Sequence, residues 1–105
     1  MTDQPLPPDA CQTMQQVRAG VDATDAALIA LLATRFGYMR AAARIKPHRG
    51  AVRDEDRKAQ VITNAAVLGE QAGIPPGHIR AVWEELVEQS IAYELGVWDA
   101  TRGDR

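Results

Sequence analysis

Cysteine is almost absent. Cys11 stands alone among 105 residues, so no intrachain disulfide can form, and a reducing compartment suits the chain. Two readings of Cys11 stay open: a reactive thiol, which needs an activating neighbour, or a thiol near a frayed terminus. Histidine is nearly as scarce. His48 and His78 have no Cys, His or carboxylate at ligand spacing, which excludes a metal site. The chain lacks a glycine-rich phosphate loop, a nucleophile elbow and a Ser/His/Asp arrangement, so no cofactor is expected. It has no apolar run near the ~20 residues of a membrane span, and none in the first ten residues that fits a signal peptide, so a cytoplasmic protein with no membrane partner is expected. A net charge of −2 is not the basic excess of a nucleic-acid binder. Aromatics are only 5% of the chain against 46% apolar residues overall, which points to a core of Ala, Leu, Val and Ile. Sustained alternation, the mark of strands, is also missing.

What is present is helical periodicity. Residues 1–10 carry three prolines and read as a flexible tail. Residues 11–105 read as one helical domain. Met14, Val17, Val21, Leu28, Leu31, Leu32, Met39, Ala42 and Ile45 recur at three- and four-residue steps, which predicts one helix over about 12–46. Gly20 and Gly37 weaken it without breaking it. At 1.5 Å per residue it would be roughly 50 Å long, so it must bend or pack on a second chain. Pro47 ends it. Asp54 is a plausible N-cap for a second helix, marked by Val61, Ile62, Ala65 and Leu68 and closed near Gly73. Pro75 and Pro76 open a third, with an apolar face of Ile79, Val82, Trp83, Leu86, Val87, Ile91, Leu95 and Trp98. The fold class is all-α, with three helices that run long, medium, long. A chain of this size buries only about two-thirds of its unfolded surface, so a partner copy is expected.

Function should lie where polar groups interrupt the apolar stripes. Arg35 and Lys46 are eleven residues apart, about three turns plus 20°, and so share a face roughly 16 Å apart along the axis. Either they are solvated cations with buried stems, or their long side chains converge on one anion. Arg18 lies about 25 Å from Arg35 along the same helix and reaches such a pocket only from a second, antiparallel chain. Glu94 falls on or beside the apolar face of helix three. A carboxyl group there either pairs with a cation or takes up a proton, unless it is a boundary residue reaching water. Ser90 sits one turn earlier on that face. Arg53, Asp54 and Arg57 crowd the start of helix two, as capping and helix-end charge or as part of an anion site.

In this order, Arg18, Arg35, Lys46, Arg53-Asp54-x-x-Arg57, Ser90 and Glu94 resemble the all-helical chorismate mutase family, as do Val17-Arg18, Leu31-Leu32-Ala33-x-Arg35, Ala41-Ala42 before Lys46, and Val52-Arg53-Asp54. The resemblance runs from about Cys11 to the C-terminus. It implies an intertwined homodimer that isomerises chorismate to prephenate, a step of aromatic amino acid biosynthesis. It also implies site roles. Arg18 from the partner chain and Arg35 would hold the two substrate carboxylates, with Arg57 assisting, and Asp54 and Ser90 would complete the binding site. Lys46 and Glu94 would face the ether oxygen of the breaking C–O bond from opposite sides.

Trp98-x-x-Thr101-Arg102-Gly103 and Cys11 before Arg18 are similar to a related branch, isochorismate pyruvate lyase, which forms salicylate and pyruvate. Two positions depart from the common pattern. Glu94 stands where many members have glutamine, although some mutases carry glutamate. Lys58 stands where bacterial mutases have a glutamate that receives a ring hydroxyl, and the lyase branch also lacks a carboxylate there. The substrate therefore stays open between chorismate, isochorismate and an amino-substituted analogue, and a helical interaction module without catalysis is the non-enzyme alternative.

Overall fold

The computed structural model describes residues 5–102, and among these the regular structure is entirely helical. Three α-helices follow one another: α1 (Met14–Ile45), α2 (Glu55–Gln71) and α3 (Pro76–Arg102). Pro8–Ala10 and Arg49–Ala51 each add one turn of 3-10 helix. Pro8–Ala10 falls within the tail expected to be flexible, and residues 1–4 of that tail lie outside the described residues. Chain contacts group into two units, residues 1–35 and 36–105, and the division falls inside α1.

In the first unit, α1 starts with a capping box. The Thr13 hydroxyl accepts from the Gln16 N–H (3.1 Å), and the Gln16 side-chain oxygen accepts from the N–H groups of Gln12 (2.8 Å) and Thr13 (3.2 Å). Met14, Val17, Val21, Leu28, Ile29 and Leu31 are all exposed along α1.

In the second unit, α2 packs along α3 around Val52, Ile62, Val87 and Ile91, with Val61, Trp83, Leu95 and Trp98 at the margin. The helix ends follow from local chemistry. The Asp54 carboxylate accepts from the Arg57 N–H (3.0 Å), so it caps α2 as its position predicts. At the other end Gly73 takes φ +85°, its N–H donates to Glu70 O (3.0 Å), and the Ile74 N–H reaches back to Gly69 O (2.8 Å). That paired closure needs a left-handed residue, which glycine supplies without a Cβ clash.

Gly69 has a different reason to be glycine. A Cβ there would stand 2.5 Å from Ile79 Cγ1 and 3.5 Å from Ile79 Cβ, close to the root of that side chain, so α2 and α3 would have to part. Gly69→Ala is expected to destabilise the protein by about 1–2 kcal/mol, because overpacking costs ~1–3 kcal/mol and outweighs a helix-propensity gain of up to ~1 kcal/mol. A raised midpoint in chemical denaturation would overturn this reading.

Charge ties the segment between α1 and α2 to α3. Arg49 grips Asp99 through two bonds (2.8 and 3.1 Å). Arg53 grips Glu88 in the same forked way (2.7 and 3.1 Å) and also reaches Glu55. Lys58 lies 2.6 Å from both Glu84 and Glu88. With Arg53 and then Lys58 donating to it, the Glu88 carboxyl is held down at about 2.

Candidate functional site

Lys46 is the first residue beyond α1. Its N–H still donates to Ala42 O (2.9 Å), so its backbone belongs to the last turn, and Pro47 then stops the helix. The last four carbonyls of a helix have no intrahelical donor. Three carbonyls at this end are claimed by Arg102 of α3. Its Nη1 donates to Ala43 O (3.0 Å), and its Nη2 donates to Lys46 O (2.9 Å) and Arg44 O (3.3 Å). The Trp98 indole N–H adds a second bond to Lys46 O (3.1 Å), and the Arg102 guanidinium lies 4.4 Å from the Trp98 ring centroid. A cation at a helix C-terminus is favoured by the helix dipole, and stacking on tryptophan adds cation–π attraction.

Glu94 faces Lys46 one turn before Trp98. It is 4% exposed, and its Oε2 is 2.8 Å from the Lys46 ammonium. The approach lies outside hydrogen-bonding angles, so Oε2 is paired by charge and keeps no aligned donor within the described residues. The Lys46 side chain remains 30% exposed. The pair therefore offers a solvent-reachable cation and a buried carboxyl with unused hydrogen-bonding capacity, side by side. Next to Glu94, Tyr93 docks α3 on α1: it meets Phe36 edge to face (4.9 Å, 86°), and its hydroxyl accepts from Arg40 (3.0 Å).

Of the other residues singled out in the sequence, Ser90 is buried and its hydroxyl donates to Leu86 O (2.7 Å), a bond within its own helix. Asp54 is engaged as the α2 cap, and the Arg57 guanidinium donates to Gln60 (2.6 Å) one turn along α2. Both are accounted for locally rather than joined to the Lys46–Glu94 pair. Arg18 is exposed and Arg35 half-exposed, both in the first unit. Lys58 is held by the α3 carboxylates Glu84 and Glu88, which raise the affinity of its amine for a proton.

A cavity of about 560 Å³ in the first unit carries neither member of the pair. It is lined by Leu6, Val17, Val21, Ala27 and Asp25 among others, a mostly apolar wall with one acid. In sequence Trp98 and Arg102 stand out only as an apolar position and part of a terminal motif. Their spacing from Glu94, four and eight residues, was the available signal that all three share one side of α3.

Isochorismate pyruvate lyase of Pseudomonas aeruginosa is 25% identical over 96 residues, covering 91% of this chain and 95% of that protein. Residues 17–95, three-quarters of the sequence and a span that includes both Lys46 and Glu94, match the family described as chorismate mutase type II, and the chain belongs to that family.

Proposed function

We propose that the protein is a chorismate mutase, acting as a cytoplasmic homodimer that rearranges chorismate to prephenate. The observation that carries this reading is the pairing of Lys46 with a buried Glu94 at 2.8 Å. The rearrangement is concerted: the ether C–O bond breaks as a C–C bond forms, and no group leaves. It calls for no nucleophile, so the protein's task is to hold a compact conformer and to stabilise negative charge growing on the ether oxygen. The Lys46 ammonium supplies positive charge and donors for that oxygen, and a protonated Glu94 supplies a second donor. Arg35 and Arg57, with Arg18 from the second copy, bind the carboxylates, since a guanidinium matches a carboxylate bidentately. Asp54 and Ser90 shape the rest of the site. The exposed apolar side of α1, from Met14 to Leu31, is the surface proposed to meet the second copy.

A specific observation favours a second reading. The similarity to a lyase spans nine-tenths of this chain, and Lys58, where bacterial mutases have a glutamate, is tied to Glu84 and Glu88. The same pair would then assist C–O cleavage in isochorismate, giving salicylate and pyruvate. Purified protein mixed with chorismate, followed by absorbance, and with isochorismate, followed by salicylate fluorescence, separates the two. Prephenate formation supports the mutase. Salicylate without prephenate replaces it with the lyase, and no turnover of either leaves the helical interaction module.

A further inference from the structure

Glu94, Trp98 and Arg102 follow one another at four-residue steps on α3, so they form a single stripe along that helix. All three meet Lys46: Glu94 through its side chain, Trp98 and Arg102 through its backbone carbonyl. Arg102 binds two further carbonyls of the same turn and is itself braced against the Trp98 ring. Its guanidinium thus binds three backbone carbonyls at the end of α1. Pro47 follows and has no N–H of its own. The turn that bears Lys46 is therefore held to α3 by bonds that bypass the Lys46 side chain.

Lysine is a flexible four-carbon stem with a compact charge at its tip. The ammonium can be aimed only as well as the Cα from which it departs. We propose that Arg102, braced by Trp98, is a positioning residue for Lys46, fixing the end of α1 against α3 so that the ammonium and the Glu94 carboxyl act on the same substrate oxygen. This deepens the proposed function and rests on it for the catalytic role of Lys46. The positioning itself is a property of the chain and can be observed without substrate.

The test uses the full chain carrying Arg102→Ala, Arg102→Lys or Trp98→Phe, each alone and combined with Lys46→Ala. A misplacement of about 1 Å can cost up to ~100-fold in rate, so Arg102→Ala is expected to lower kcat roughly 10- to 100-fold with little change in KM. Arg102→Lys should recover part of the loss, because it restores a donor to the carbonyls without the fork. In the Lys46→Ala background Arg102→Ala should cost nothing further in kcat, the non-additivity expected of residues acting through one another. Equal losses in both backgrounds, or a loss confined to KM, would overturn the proposal.

The second measurement is the NMR signal of the Lys46 ε-methylene in unliganded protein. Its two protons should be inequivalent in the parent chain and merge in Arg102→Ala, and identical spectra would overturn the positioning role. If the parent chain turns over neither substrate, the functional reading fails while the NMR comparison still decides the positioning. If Arg102→Ala does not fold, Arg102→Lys and Trp98→Phe carry the same two comparisons.

Discussion

Lys46→Ala is expected to lower kcat/KM roughly 100- to 1,000-fold, the loss found when one preorganised donor is removed from a developing oxyanion. The reason lies in where the charge grows. In the proposed rearrangement the substrate carboxylates are as negative in the ground state as in the transition state, so arginines that bind them would contribute mainly affinity and conformation. The ether oxygen gains charge only as its bond lengthens, so a cation aimed there raises the rate itself. Lys46 is the cation that the structure sets beside the buried carboxyl, at 2.8 Å.

The same substitution has a cost in stability, because it leaves Glu94, 4% exposed, without its counter-charge. Breaking a fully buried pair costs ~3–5 kcal/mol, and the loss here should be smaller, since water reaches the 30% exposed Lys46 side chain. The variant should keep the dimeric state proposed for the parent chain, as Lys46 lies outside the apolar side of α1 proposed to meet the second copy. Steady-state kinetics, thermal unfolding and light scattering check the three parts separately. Near-normal turnover would remove Lys46 from the mechanism, whatever the other two showed.

What could be read from the sequence divides along a physical line. Features set by neighbours in the chain were legible. Asp54 caps α2, Gly73 closes it, and Pro76 opens α3, because each depends on a few adjacent dihedrals and donors. The Thr13-x-x-Gln16 capping box is equally local, and it starts α1 at Met14, two residues later than the apolar periodicity predicts. Periodicity set Glu94 on an apolar face. It could not say which of the twelve lysines and arginines would meet it, since that depends on where α3 passes the end of α1. Arg102 illustrates the same limit. In sequence it is a cation in a last turn, a favourable charge for its own helix dipole. In the structure it serves the end of another helix. Arg57 and Asp54 each admit two readings in sequence, and in the structure their side chains make local contacts, with a neighbour on α2 and at the helix cap.

Glu94→Gln is expected to flatten the pH dependence of turnover, and this is the sharper test of the site, because it changes one atom and hardly any volume. A carboxyl group donates a hydrogen bond only when protonated, whereas an amide donates at every pH. If Glu94 acts as a donor to the ether oxygen, activity in the parent chain falls as pH rises through the titration of this group, giving an acid-shifted profile. The group facing it within the described residues is the Lys46 ammonium, 2.8 Å from Oε2. In Glu94→Gln the amide keeps a donor in place, so the acid-shifted limb should disappear and turnover above neutral pH should match or exceed that of the parent. The variant also loses the attraction between positions 46 and 94, but it leaves no buried charge behind, so its unfolding midpoint should change less than that of Lys46→Ala. Profiles of kcat and kcat/KM over the same pH range decide the matter. An unchanged profile means that Glu94 is not the titrating donor and serves only to hold Lys46. A flattened profile with preserved rate assigns the carboxyl to the reacting oxygen.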